Sequence, residues 1–154
     1  MKTKEYLRQA YRLNQIINSE IEEVAMLREM ACSITSPVLG EKVQISHSGD
    51  PPFMRSMEKI LMLEENINRE IGELVDLKSQ MRDVIAAVPD TDERMVLRYR
   101  YIHNMTWEQI GSELNADKST VRRWHGNALA HVMLPDNPIK IFDASSEQKK
   151  DEQK

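Results

Sequence analysis

The sequence has few cysteines, glycines and phenylalanines. Its 154 residues include one cysteine, Cys32, five glycines and two phenylalanines. A single thiol excludes an internal disulfide framework and leaves too few sulfur ligands for a cysteine-rich zinc site. No segment approaches the roughly 18 to 20 apolar residues that cross a bilayer, and the charged N-terminus lacks the apolar core of a secretory signal. We therefore expect a cytoplasmic protein that makes no membrane contact.

The residue types that are abundant favour helices. Leu, Met, Glu, Lys and Arg are common, whereas runs of Val or Ile that alternate with period two are scarce. The length allows one compact domain or two small ones, and the 21 basic and 25 acidic side chains give a net charge of −4. The composition predicts an all-α protein.

The first helix is predicted from a stretch without glycine or proline, residues 3–32. Glu20 interrupts its apolar stripe, and we expect the adjacent Ile21 to continue it. The other members of the stripe recur at helical spacing: Tyr6, Ala10, Leu13, Ile17, Val24, Leu27 and Ala31.

A second long helix is predicted between Asp50 and Pro89, because a capping carboxylate followed by proline starts a helix well. Residues 33–50 are rich in Ser, Thr, Gly and Pro and predict a loop. The second apolar stripe contains Met57, Ile60, Ile67, Ile71, Leu74, Met81, Ile85 and Val88. Residues 1–89 thus predict a long, coiled-coil-like helical hairpin, which pairs within one chain or forms a homodimer because neither helix can bury its stripe alone.

Residues 90–134 predict a small domain of three shorter helices. Asp90 and Asp117 are candidate N-caps, and Thr106 with Gln109 has the spacing of a capping box. A short helix, a tight turn and a longer helix is the pattern of a helix-turn-helix, whose second helix enters the major groove of DNA. Residues 135–154 are too polar to contribute to a core, so we expect a disordered tail.

The candidate DNA-binding residues follow from the helical wheel of the last helix. If Val121, Trp124 and Ala128 face inward, then Arg122 and Arg123 project outward, where an arginine that binds guanine with two hydrogen bonds contributes about 1 to 3 kcal/mol of discrimination. The full candidate set is Thr106, Trp107, Lys118, Ser119, Thr120, Arg122, Arg123 and His125. The alternative interpretation is three packed helices with a solvated charged face, since the spacing pattern alone is loose.

The stretch from Arg94 to Val132 resembles region four of bacterial sigma factors. The matching segments are Val96-Leu97-Arg98-Tyr99, Thr106-Trp107-Glu108-Gln109-Ile110-Gly111, Ser119-Thr120-Val121-Arg122-Arg123 and Ala128-Leu129. Residues 1–134 as a whole are similar to late-gene transcription activators of phages and prophages of Gram-positive bacteria, in Ser36-Pro37, Val43-Gln44, Tyr101-Ile102 and His125-Gly126 among others. The resemblance implies a regulator that binds double-stranded promoter DNA and contacts RNA polymerase, without the regions of a complete sigma factor.

Two other functions remain open from the sequence. One is a phage DNA-packaging component such as a terminase small subunit, which also combines a helix-turn-helix with long helices, and the other is a helical interaction protein that binds no DNA. We expect no enzyme and no cofactor, because the sequence has neither a nucleophile turn nor a glycine-rich phosphate loop. We also expect no metal site, because no two of the four histidines have the spacing of a chelating pair on a helix.

Overall fold

The computed structural model describes residues 1–35 and 52–142, and it is all-α over these residues, as predicted. The elements are α1 (Thr3–Thr35), α2 (Pro52–Ala86), α3 (Thr91–Leu97), a π-helical segment (Arg98–Ile102), α4 (Trp107–Leu114) and α5 (Lys118–His131). In the described part of the chain, no helix is both long enough and apolar enough to span a membrane. Most of the predicted loop, including Ser36-Pro37, Val43-Gln44 and the expected cap at Asp50, lies outside the described residues.

The chain divides into two compact units, and the division falls inside both long helices. The first unit contains Met1–Asn14 and the described residues from Gly72 onward, and the second contains Gln15–Ile71. The sequence instead predicts a helical hairpin of residues 1–89, a separate domain of residues 90–134 and a tail of residues 135–154. The difference arises because the N-terminal part of α1 and the C-terminal part of α2 share a hydrophobic core with the C-terminal helices. These parts therefore belong to the same unit.

The second unit pairs α1 and α2 through apolar and polar contacts. Arg28 forms an ion pair with Glu64, and the Glu20 Oε1 atom accepts a hydrogen bond of 3.3 Å from Asn66 Nδ2. Ile21 is 48% exposed, so the expectation that it continues the apolar stripe is wrong; Glu20 turns toward α2, where an amide meets its carboxylate. The buried apolar residues of this unit are Ile17, Val24, Ala31, Ile60 and Ile67.

The first unit contains the larger core, to which α1, α2, α3, α5, the π-helical segment and the turn after α2 contribute. Its partly buried neighbours include Leu74, Ile102 and Leu129. Burial of such apolar side chains is the main favourable term in folding. The fully formed cluster contains Tyr6, Leu7, Ala10, Leu77, Met81, Val84, Ile85, Val88, Leu97, Tyr101, Ala128 and Val132.

Residues 135–142 differ from the predicted disordered tail, because they are held against this core. The backbone N–H of Ile141 donates to Gln9 Oε1 at 2.7 Å, and that of Ile139 donates to Gln80 Oε1 at 2.9 Å. The amide of Gln9 also donates to the Ile139 carbonyl at 3.0 Å. Side-chain amides thus satisfy backbone groups that would otherwise be paired in a helix or sheet. Composition alone does not predict these hydrogen bonds. Residues 143–154 of the predicted tail lie outside the described residues.

Candidate nucleic-acid interface

Helix α4 starts at a complete capping box, as the sequence predicts. The Gln109 N–H donates to Thr106 Oγ1 at 3.3 Å, and the Thr106 N–H donates to Gln109 Oε1 at 2.9 Å. Two N–H groups that would lack partners at a helix start are therefore satisfied. The box fixes where α4 begins and leaves the Thr106 side chain exposed at that end.

The turn between α4 and α5 depends on two residues with special backbone requirements. Asn115 is left-handed, with φ 50° and ψ 44°, and its N–H donates to the Gly111 carbonyl. A Cβ atom at Gly111 would lie 2.7 Å from the Ala116 carbonyl oxygen, which is closer than real Cβ contacts come. Asparagine tolerates the left-handed region better than most residues, and glycine admits the close approach of the turn.

Asp117 caps α5 in the way the sequence predicts. Its Oδ1 atom accepts hydrogen bonds from the Thr120 N–H at 2.7 Å and from Ser119 Oγ at 3.0 Å. These bonds, above all the one from the Thr120 backbone, lower the pKa of the Asp117 carboxyl below its usual value. The helix therefore begins on an ionised carboxylate, which favours its N-terminal dipole.

The inward face of α5 holds the helix against α3 and α4. Val96, Ile110 and Val121 are fully buried in a small core of their own, against which Trp107 and Trp124 pack. Ala128 is buried in the larger core of the unit. The predicted inward orientation of Val121 and Ala128 is confirmed, and Trp124 is half-buried.

The outward face of α5 carries the predicted basic residues, but they differ in availability. Lys118 Nζ lies 2.6 Å from Glu108 Oε1 of α4, and this contact lowers the pKa of the Glu108 carboxyl. Arg122 and Arg123 are exposed, and neither has a hydrogen bond or an ion pair within the described residues. Ser119 is exposed and is bonded to Asp117, whereas Thr120 is half-buried. The arginines are thus the cations of this face that have no hydrogen-bond or ion-pair partner within the described residues.

His125 is placed differently from the expectation that it lies on the DNA-binding surface. Its side chain is buried, its Nε2 atom lies 2.8 Å from the Tyr101 hydroxyl, and its ring meets the Trp107 ring edge-on with centroids 4.8 Å apart. Burial, reinforced by the charges of Lys4 and Arg100, lowers the pKa of His125 to about 4. The imidazole is therefore neutral at pH 7 and packs in the interior, because the helical phase that exposes Arg122 turns His125 inward.

A group of cations that are distant from one another in the sequence lies beside the start of α4. Lys4 and Arg8 of α1 and Arg100 of the π-helical segment line one pocket of about 450 Å³ together with Trp107 and His125. The Arg100 guanidinium lies over the Trp107 ring, 4.3 Å from its centroid. No linear motif joins these residues; the signals in the sequence are the high density of cations near the N-terminus and the basic group of Arg94, Arg98 and Arg100.

A comparison with known families and proteins completes the description. A model of the family described as "Protein of unknown function (DUF722)" matches residues 17–132. No curated protein and no solved structure matches the chain. Because the matched range covers more than half of the sequence, the chain belongs to the DUF722 family of proteins of unknown function.

Proposed function

We propose that the protein is a sequence-specific DNA-binding transcriptional regulator that inserts the N-terminal half of α5 into the major groove of double-stranded DNA. The observation that supports this most is the pairing of a tightly turned, capped α4–α5 unit with two exposed, unpaired arginines on its outward face. A helix-turn-helix binds DNA in this way, with its second helix contacting base edges.

The proposed roles follow from the exposure and bonding of each side chain. Arg122 and Arg123 contact guanine edges or phosphates, because a guanidinium with no internal partner can donate to either. Lys118 contacts phosphate after exchanging Glu108 for DNA, and Ser119 and Thr120 border the same surface. Thr106 and Trp107 lie at the start of α4, the helix that crosses the sugar-phosphate backbone in this arrangement.

The promoter context rests on the sequence resemblance. It favours an activator of phage late genes that acts next to RNA polymerase. A homodimer is part of the same proposal, because the second unit exposes apolar side chains that a second copy would cover, among them Met26, Met30, Leu61 and Met62. A dimer would also place two α5 helices on two half-sites.

The test is occupancy mapping of the tagged protein on a host genome that carries the prophage, followed by fluorescence anisotropy on the recovered duplex at fixed salt. Arg122→Ala and Arg123→Ala should each weaken binding about 5- to 150-fold, the range set by loss of a base contact. Arg82→Ala, a change at an exposed arginine of α2, is the control and should bind as the parent does.

Unchanged affinity in both α5 variants would remove the proposed DNA-binding face. A ring-shaped oligomer in light scattering, with no discrete genomic peaks, would instead favour a DNA-packaging component. Tight binding to RNA polymerase without salt-dependent duplex affinity would favour an interaction protein that does not bind DNA.

A further inference from the structure

The pocket beside the start of α4 is formed entirely within the first unit. The first turns of α1 supply Lys4, Arg8 and Tyr11, and the π-helical segment with the loop after it supplies Arg100, Tyr101 and Asn104. Thr106, Trp107 and His125 complete the lining. Its volume of about 450 Å³ lies within the range of roughly 300 to 1,000 Å³ that is usual for small-ligand sites.

The lining is strongly cationic. It contains Lys4, Arg8 and Arg100 but no aspartate or glutamate. Lys4 and Arg8 have no hydrogen bond or ion pair among the residues that the structure describes. Arg100 is oriented by a hydrogen bond of 2.9 Å from its Nη1 atom to the Met105 carbonyl, and by the Trp107 ring below it. Three converging cations without a counter-charge favour an anionic ligand.

The positive potential affects a neighbouring titratable group. Burial lowers the pKa of His125, and the positive charges of Lys4 and Arg100 lower it further. Burial raises the pKa of Tyr101, and the positive charges of Arg100 and Arg8 partly oppose that rise. The cations thus act inside the pocket as well as at its rim, and an anion bound there would oppose their effect on His125.

The pocket also has features that suit a planar ring with a hydrogen-bond donor. Aromatic side chains of Tyr11, Tyr101 and Trp107 contribute to its walls. The Asn104 Oδ1 atom is buried and has no hydrogen-bond partner. Asn104 also has a φ of 57°, the left-handed conformation that asparagine adopts more readily than bulky residues. A buried acceptor without a donor costs free energy, and a ligand N–H or O–H would recover it if the Asn104 side chain rotated toward the pocket.

From this combination we infer that the pocket binds a nucleotide, with its phosphate between Lys4, Arg8 and Arg100 and its base against the aromatic wall near Asn104. Arginine donors match phosphate oxygens in charge and in geometry, and aromatic rings stack on any base. The phosphate has two sources: a free mononucleotide, whose base then meets the aromatic wall, or a backbone phosphate of the DNA that α4 crosses, whose base stays in the duplex. The DNA source rests on the proposed function, whereas the free source does not.

The experiment uses the full chain and three probes, AMP, ribose 5-phosphate and duplex DNA. Isothermal titration should give saturable AMP binding that weakens at least tenfold in Arg8→Glu and in Lys4→Glu. Both side chains are exposed, so both variants should keep the parent's helical content by circular dichroism. Arg82→Glu makes the same charge change on an exposed residue outside the pocket and should leave AMP affinity unchanged. Ribose 5-phosphate, which lacks the base, should bind at least tenfold more weakly than AMP.

Histidine NMR gives a readout that surface charge alone would not move. AMP should raise the pKa of His125, because a bound phosphate opposes Lys4 and Arg100. A His125 pKa that stays constant at saturating AMP would place the ligand elsewhere and overturn the assignment.

The remaining outcomes separate the two sources. If AMP does not bind, but Arg8→Glu weakens duplex binding at least tenfold more than Arg82→Glu does, the phosphate belongs to DNA. If AMP does not bind and the two variants affect duplex binding equally, the pocket is no nucleotide site. Saturable AMP binding in a protein that fails to bind duplex DNA would support the pocket while contradicting the proposed function.

Discussion

The His125 imidazole and the Tyr101 hydroxyl share a buried hydrogen bond of 2.8 Å that joins α5 to the π-helical segment. The bond holds a neutral imidazole in a place where burial and two nearby cations oppose its protonation. His125, which the sequence suggested as a phosphate contact, therefore packs in the interior, and its protonation is coupled to unfolding.

The stability of the fold should fall in mild acid because of His125. Its pKa is about 4 in the folded chain against 6.5 as the ordinary value, so the unfolded chain binds more protons between these pH values. The contribution is fully present above about pH 6.5, and it is lost progressively as the pH falls toward 4. Urea unfolding at a series of pH values should show this slope for the parent, and His125→Gln should show a flatter one. Equal slopes for the two proteins would contradict this account.

Gly111→Ala should destabilise the α4–α5 turn, whereas Gly126→Ala should not. A Cβ at Gly111 meets the Ala116 carbonyl oxygen at 2.7 Å, so the backbone must shift, and such overpacking costs about 1 to 3 kcal/mol. A Cβ at Gly126 meets nothing within 4 Å, and alanine in a helix is favoured over glycine by about 0.5 to 1 kcal/mol. Thermal unfolding should thus move in opposite directions for the two variants, and a shift in the same direction would argue against the turn geometry.

Removing the cap of α5 should cost about 0.5 to 2 kcal/mol of unfolding free energy. Asp117→Ala deletes the acceptor of the Thr120 N–H, whereas Asp117→Asn keeps an oxygen in that position. Chemical denaturation should rank the parent and Asp117→Asn close together and Asp117→Ala below both. If Asp117→Ala were as stable as the parent, the cap would not contribute to where α5 begins.

Glu108→Gln should increase duplex affinity, provided that the chain binds DNA as proposed. The substitution removes the carboxylate that pairs with Lys118 and also removes a negative charge that faces the DNA. Lys118 then becomes available to phosphate, so the slope of log affinity against log salt should steepen by about one. Glu113→Gln, at another exposed glutamate of α4, is the matched control. Equal effects of the two variants would show that only net charge matters.

Gln9→Ala should release residues 135–142 from the core. Gln9 both donates to the Ile139 carbonyl and accepts from the Ile141 N–H, so its loss leaves two backbone groups without partners, at about 1 to 3 kcal/mol for each one that stays buried. Hydrogen exchange at the Ile141 amide should accelerate. Asn18→Ala, at an exposed position of α1, should leave that exchange rate unchanged.

Local signals in the sequence predicted the local structure well. The capping box at Thr106 and the caps at Asp90 and Asp117 form as the residue types predict, because each involves groups only three residues apart. The apolar stripe of α1 is also confirmed at Tyr6 and Ile17, where helical periodicity alone decides which side is buried.

Features that depend on distant residues could not be predicted from the sequence. The stripe departs from its pattern at Glu20, whose Oε1 atom accepts from Asn66 of α2 while its Oε2 atom is buried without a hydrogen-bond partner among the described residues. Residues 135–142 appeared too polar to order because their partners, Gln9 and Gln80, lie on the two long helices. The cationic pocket was missed for the same reason, since Lys4 and Arg100 meet only in the folded unit.

The π-helical segment sets the angular position of its own side chains, among them Arg100 and Tyr101, relative to α3. Its backbone closes a wider ring, with the His103 N–H donating to the Arg98 carbonyl at 3.1 Å, five residues back. One residue corresponds to about 100° of rotation around a helix axis, so deleting a single residue here would swing Arg100 away from Trp107 and Tyr101 away from His125. The wider turn therefore fixes how the cationic pocket is aligned with α4 and α5, and we expect a single-residue deletion within residues 98–102 to disturb both.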